Sequence, residues 1–411
     1  MNKSVAKSFL SFFWILPFLY MFLDIYTNLD YRMPTYAFKF FIFLSFISAF
    51  ILIVIWFKEF REIGYFTKAF QYLKEENISK LDGIISKTKT TAYIENDITL
   101  LQYAIDHQLN PDIISYLISR NATIKYSLNR EYDLSHTLFY LCAYYNYLDE
   151  TLLSYLLAKG ANVNFIDTNK GFEGLSILQV LVLRGNTNCI SMVLEQEADL
   201  KYFVNELSMN ALMLAARYIN DPLVLKILIE AGALVNELNK DGYNALLFAC
   251  HYNTTPAVIN ILCNSGAKIK TYNVKSAQMI YNEVTPLSIA ATYNNSEVVK
   301  CLIALGDDLN YKDTFDFSVI FMAAAHNPNV EVLKTLISSG ASLEGSEDRD
   351  GNTPLMVASY LNPNPNIIRY LIDKTHNLKT KNKDGFDFID YLKQNSHLTS
   401  EEKEMVITRW L

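Results

Sequence analysis

Any nucleophile, base or metal cage in this chain would have to come from five cysteines and six histidines. One adjacent pair, Cys250 and His251 followed by Tyr252, could be imagined as nucleophile and base. Neighbouring helical residues point about 100° apart, however, and Cys250 occupies a small-residue packing position. The cysteines (Cys142, Cys189, Cys250, Cys263, Cys301) form no C-x-x-C pair. Their odd number closes no disulfide framework, so they read as buried small hydrophobes of a reducing compartment. The sequence has no phosphate-cradling G-x-x-x-x-G-K-[ST], no metal-binding H-E-x-x-H and no G-x-S-x-G elbow. No catalytic residue, cofactor or metal site is therefore expected, and the function should be one of binding.

The charge balance narrows what is bound. Thirty-six basic and 43 acidic side chains give a net charge of -7, without the basic face that nucleic acid demands. A length of 411 residues exceeds one ordinary core and favours several domains or a repeat array. The apolar fraction of 51% is high for a water-borne chain, and much of the excess lies in the first 57 residues.

Two apolar stretches account for that excess, Ser8 to Leu23 and Phe40 to Phe57, both free of charged residues. As helices they extend roughly 24 and 27 Å, near the hydrocarbon thickness of about 30 Å once flanking aromatic and lysine side chains are added. The second is apolar on every side rather than striped. The first follows Lys3 and Lys7 as a signal peptide would, yet no small-x-small cleavage site follows it. The expectation is a transmembrane helical hairpin over 1–62, touching the bilayer through residues 8–26 and 36–57. The basic residues Lys3, Lys7, Lys58, Arg61, Lys68 and Lys74 place both termini on the cytoplasmic side, and a bacterial inner membrane is the expected location.

Beyond the hairpin the chain repeats itself. The clearest copy starts at Val284 and reads V-T-P-L-S-I-A-A-T-Y-N-N-S-E-V-V-K-C-L-I-A-L-G-D-D-L-N; another, D-G-N-T-P-L-M-V-A-S, starts at Asp350. These units resemble the ankyrin-repeat family, whose unit opens with T-P-L-H-x-A-A and closes on G-A-x-V-N. With the motif's Thr as position 1, copies begin at Thr99, Thr137, Ser176, Asn210, Asn244, Thr285, Ser318 and Thr353, in steps of 33 to 41 residues. The longer steps imply insertions around 127–135, 165–172 and 270–282. A half-unit from Asp384 resembles a C-terminal cap, and Ala69 to Ile85 has the apolar spacing of an N-terminal one, so the resemblance spans about 69–411.

The expected fold is thus an all-α ankyrin-repeat solenoid after a membrane hairpin, with capping helices at 63–94, eight repeats at 95–382 and a cap at 383–411. Paired alanines (215–216, 290–291, 323–324) let first helices approach closely, and apolar residues such as Val298, Val299, Leu302 and Ile303 fill the seam between units. Gly160, Gly232, Gly266, Gly306 and Gly340 supply the left-handed turn that ends each second helix.

Two departures from the family pattern stand out. The His of T-P-L-H is replaced throughout, by Gln102, Tyr140, Gln179, Met213, Leu247, Ser288, Phe321 and Met356, which removes a group linking units and predicts a less rigid stack. The Gly that ends the first helix is mostly Asn (146, 253, 294, 327, 362), which reads as a terminator of positive backbone dihedral.

The resemblance implies that partners bind at positions 8 and 9 of the first helix and at the turns between units. Position 9 holds His107, Tyr145, Arg184, Tyr218, Tyr252, Tyr293, His326 and Leu361, and position 8 holds Tyr144, Arg217 and His251. Tyr and Arg bury much area while keeping a polar handle. The partner-binding candidates are therefore Tyr144, Tyr145, Arg184, Arg217, Tyr218, His251, Tyr252, Tyr293 and His326, with the turns Asn236 to Asp241 and Asn310 to Asp313 as a second row. The expected function is a membrane-tethered scaffold or receptor for a cytoplasmic protein. An inhibitor or immunity-type protein that neutralises a toxin or enzyme is the alternative, and a subunit of an oligomeric channel a more remote one, since neither span holds an ionisable residue.

Overall fold

The computed structural model describes residues 61, 64–88, 94–95, 98–107, 109–120, 122, 134–144, 148, 150–166, 174–203, 208–274 and 283–408. The two apolar stretches expected to form the membrane hairpin lie outside these residues. Among the described residues no helix is long and apolar enough to cross a membrane. The chain divides into two compact units, Met1–Tyr132 and Asp133–Leu411.

In the first unit, helical residues 64–74 (α1) and Ile78–Thr88 (α2) form the expected capping pair. Phe70, Leu73, Leu81, Ile84 and Ile85, the residues whose helical spacing marked the segment, are all buried. A two-residue hairpin, Ile94–Glu95 (β1) against Ile98–Thr99 (β2), leads into Leu100–Asp106 (α3) and Pro111–Ser119 (α4). Asp82 of α2 accepts from the Tyr116 hydroxyl at 2.7 Å and pairs with Arg120, which ties α2 to α4.

The second unit is a series of helix pairs: Leu134–Tyr144 (α5) with Glu150–Ala158 (α6), Ile177–Arg184 (α7) with Thr187–Glu195 (α8), Ala211–Tyr218 (α9) with Pro222–Glu230 (α10), and Ala245–Tyr252 (α11) with Pro256–Asn264 (α12). After a short ladder of Tyr272–Asn273 (β3) on Glu283–Val284 (β4) come Pro286–Tyr293 (α13) with Ser296–Ala304 (α14), Val319–His326 (α15) with Val330–Ser338 (α16), and Pro354–Leu361 (α17) with Pro365–Lys374 (α18). Phe388–Gln394 (α19) and Ser400–Ile407 (α20) close the series, so the expected half-unit is a complete helix pair. First helices pack on first helices and second on second, as in α13 between α11 and α15.

The motif's first residue proves to be the helix N-cap. Ser176, Asn210, Asn244, Thr285, Ser318 and Thr353 each accept, through the side chain, the N–H three residues on, which satisfies a donor left over at the helix start. Thr99 does the same for α3. Thr137 departs from the pattern: it lies inside α5, which already runs from Leu134. The paired alanines are fully buried, where a larger side chain would push neighbouring first helices apart.

Four of the asparagines at the ends of the first helices correct the sequence expectation; the fifth, Asn146, lies outside the described residues. Asn253, Asn294, Asn327 and Asn362 have φ of -98, -112, -83 and -74°, extended rather than left-handed. Their role lies in the side chain. Each Nδ2 donates backward to two carbonyls of the preceding repeat: Asn294 to Cys250 at 2.8 Å and Asn253 at 2.9 Å, Asn327 to Ala291 at 2.9 Å and Asn294 at 2.8 Å, Asn362 to Ala324 at 2.8 Å and Asn327 at 3.0 Å. Asn253 begins this buried row on Ala216 and Ile219, and Asn395 ends it on Ser359 and Asn362. The row satisfies last-turn carbonyls that a helix cannot pair internally. Where Gly does occupy the position, at Gly185, φ is +69° and the left-handed ending returns.

Links between repeats are therefore not lost with the missing His. Besides the Asn row, Gln179 at that very position donates from Nε2 to the Tyr202 and Met209 carbonyls, at 3.0 and 3.3 Å. A second Asn in the N-P-N loops caps the helix that follows: Asn329 accepts from Glu331 N and Asn364 from Asn366 N. The closing glycines behave as expected, with Gly232 at φ +101°.

Candidate partner-binding face

The first helices of the second unit are short and buried over most of their length, so only their last residues reach solvent. At 3.6 residues per turn, positions 8 and 9 fall past the alanine pair and turn away from the neighbouring helices. Tyr218, Tyr252 and Tyr293 are 48%, 38% and 40% exposed, whereas Ala215, Ala216, Ala249 and Ala290 just before them are fully buried.

Five of the sequence candidates come together here, on three consecutive repeats. The Arg217 guanidinium lies 3.9 Å from the centre of the Tyr252 ring and 4.9 Å from that of Tyr218. His251 stacks on Tyr252 at 3.9 Å and on Tyr293 at 4.3 Å. The order Tyr218, Arg217, Tyr252, His251, Tyr293 is thus one continuous series of flat groups. Beneath it, Phe248 and Tyr243 extend the aromatic contact into the core, at 6.5 Å from Tyr252 to Phe248 and 5.0 Å from Phe248 to Tyr243. Each guanidinium–ring contact is worth about 0.5–2 kcal/mol, which holds these side chains in one arrangement.

The electrostatics of the series are simple. Burial, with the Arg217 charge in support, pulls His251 down to about 4, so the imidazole is neutral near pH 7. Burial, with Tyr252 in support, raises the Tyr293 phenol, which stays protonated. The face carries a single permanent charge, that of Arg217.

The remaining candidates behave differently. Arg184 reaches back to the Ala143 carbonyl and joins two repeats. His326 is half-buried, and burial lowers its pKa. Tyr145 and the side chain of Tyr144 lie outside the described residues. Of the turn row, Asn236 bridges to the next repeat through the Gly266 carbonyl and Lys268 N. Asn239 and Asp313 are buried in bonds to their own turns. The turns expose apolar side chains, Leu234, Leu238 and Phe315, beside polar ones such as Lys240, Asn310 and Lys312. Sequence reasoning also missed Leu183 and Tyr360, exposed residues at position 8 of their own repeats. The signal was present, because both share the register of Arg217 and His251.

The imagined Cys250–His251 pair has no chemistry to offer. Cys250 is fully buried, its thiol pushed well above the ordinary range by burial, while His251 points to the tyrosine stack. Among the described residues no group of three or more His, Cys, Asp or Glu side chains could hold a metal ion.

A stack of capped helix pairs, each burying its apolar side only against neighbours, with a preformed row of aromatic and cationic groups at the helix ends, defines a repeat protein built for recognition. A family model described as ankyrin repeats (3 copies) matches residues 138–239, 212–313 and 287–384. The chain belongs to the ankyrin-repeat family. Among solved structures, the crystal structure of the human ASB11 ankyrin repeat domain is similar, at 22% identity and a TM-score of 0.46, covering 56% of this chain and 98% of that one. No curated protein sequence matches the chain.

Proposed function

We propose that this protein is a membrane-tethered scaffold or receptor that holds a cytoplasmic protein on the face formed by Tyr218, Arg217, Tyr252, His251 and Tyr293. The observation that carries the reading is the continuous stack of these five side chains, exposed at its tyrosines and ordered by its own contacts. Aromatic and Arg side chains held rigid at a surface lose little entropy on binding and supply hot spots. The membrane part of the proposal is supported by the sequence, in the charge-free stretches Ser8 to Leu23 and Phe40 to Phe57 and in the basic residues that flank them. Tethering raises the effective concentration of the face at the bilayer, here the inner membrane of a bacterium. The protein binds and does not catalyse.

The test uses the full chain in its native membrane. Crosslinking followed by mass spectrometry is compared between the wild type and a variant carrying Tyr218→Ala, Tyr252→Ala and Tyr293→Ala. The expected result is a captured protein that the variant loses, on a chain that stays in the membrane fraction after an alkaline salt wash. Equal capture by both chains removes the face from the function, and release by mild salt removes the tether.

A further inference from the structure

We propose that the Arg217–Tyr252–His251 step of this face receives a carboxylate, so that the partner docks through an Asp or Glu side chain set in an otherwise apolar segment. The inference rests on the reading of this face as a protein-binding surface, and it adds the chemistry of what is bound.

Three observations carry it. First, Arg217 has neither a hydrogen bond nor an ion pair with any described residue, and its Nε is shielded from solvent without an acceptor. Among the described residues several surface cations do have carboxylate partners, Arg120 with Asp82, Lys300 with Glu297, Lys334 with Glu331 and Arg349 with Asp316, while Arg369 shares the unpartnered Nε but makes no ring contact of this kind. A guanidinium offers five N–H donors and accepts nothing, so what it lacks is an acceptor. Second, Nδ1 of His251 is also shielded and unpartnered, one repeat further on and against the same Tyr252 ring. A neutral imidazole can place its proton on that nitrogen and donate. The two unpaired atoms show how few acceptors surround this step, and an incoming carboxylate meets the terminal guanidinium nitrogens, which have no bond among the described residues.

Third, the charge count selects among acceptors. With His251 neutral, one guanidinium faces the ligand, which matches one carboxylate held by paired hydrogen bonds. A nucleic-acid backbone or a phosphorylated segment would call for several cations, and the chain as a whole carries -7. A ligand cation is disfavoured too, because Arg217 already occupies the Tyr252 ring. The exposed rings of Tyr218 and Tyr293 on either side suit apolar flanking residues.

The probe is a phage-displayed library of random dodecapeptides panned on the full chain in mild detergent. Selected peptides are then resynthesised and titrated against wild type, Arg217→Lys, Arg217→Gln and Tyr252→Ala. The expected peptides share an Asp or Glu, and changing it to Asn or Gln weakens binding about tenfold or more, as does Arg217→Gln. Arg217→Lys, a point charge without the planar fork, falls between. Peptide binding also moves the titration of the His251 ring protons to higher pH in NMR, which a purely structural Arg217 would not produce. Swapping the acid on the peptide reads the same contact with unaltered protein, should an Arg217 variant misfold. Peptides that need Tyr252 but no acidic residue overturn the carboxylate proposal and leave the binding face standing. Peptides indifferent to both Tyr252 and Arg217 overturn the two together.

Discussion

Two rows of side chains run along the second unit one residue apart, and they do opposite work. Tyr252, Tyr293 and His326 lie at position 9 of their repeats; Asn253, Asn294 and Asn327 follow directly in the chain. The two tyrosines of the first row hold their rings at the surface and His326 is half-buried, while the second row is buried and bonded to the preceding repeat. One step along the backbone separates what joins the repeats from what they present. The helix stops between the two, so the direction of the Asn side chain is set by an extended residue and not by the helical rotation. The surface residues can thus vary without touching the bonds that fix repeat spacing.

The strongest way to break this contrast is to exchange the rows' fates. Asn294→Ala leaves the Cys250 and Asn253 carbonyls without their side-chain donor and should cost about 2–4 kcal/mol. A urea titration of the full chain in mild detergent, followed by circular dichroism, should show a lower midpoint or an early separate transition. A midpoint equal to wild type would mean the Asn row contributes nothing.

Next in size is a buried polar residue outside the row. The position held by Ala161, Ala198, Ala233, Ala267 and Ala341 in other repeats is Asp307 here, buried, and burial raises its pKa to about 6 although it accepts from Leu287 N at 2.7 Å. A folded-state pKa above the unfolded one means the native state binds more protons. Stability is then highest below about pH 4 for this group and declines as pH rises through about 6. Asp307→Asn keeps an acceptor and removes that decline, so it should gain up to about 2 kcal/mol at pH 7 and nothing at pH 4. Melting temperatures of both chains across that range check the sign, and a parallel pair of curves would show Asp307 to be indifferent to pH.

A smaller stability effect is expected from the exposed row. Tyr293→Ala loses one stacking contact with His251 and should cost about 1 kcal/mol or less, while partner capture falls strongly. Smallest of all is Arg217→Gln, whose loss of ring contacts should leave the urea midpoint within about 1 kcal/mol of wild type. A large loss of stability in either variant, with capture unchanged, would move those residues from the presenting row to the joining one.

Much of this was legible from residue types. The period, the alanine pairs and the left-handed glycines each follow from a local backbone or size requirement and were found where expected, while the structure added that the Ser, Thr and Asn at position 1 are helix caps. Thr137, at the same repeat position, lies inside its helix and caps nothing. Positions 8 and 9 came from the family resemblance, and the structure shows three of their residues, Tyr218, Tyr252 and Tyr293, exposed just past the buried alanines. The Asn row was misread because Asn serves two purposes at a helix end, a tolerated left-handed backbone or a side-chain amide for distant carbonyls, and composition does not separate them.

From its order of residues alone this chain is specified as a run of helix pairs at a period near 34 residues, with one apolar side apiece. Those are properties of neighbours in the chain, governed by backbone sterics and helical periodicity. Which carbonyl each buried Asn would reach, and that Arg217 and His251 would share one tyrosine from adjacent repeats without acceptors of their own, depended on residues some thirty to forty positions away. Only the stacking of one repeat on the next brings such groups within hydrogen-bonding distance, and for that reason only the tertiary structure could decide it.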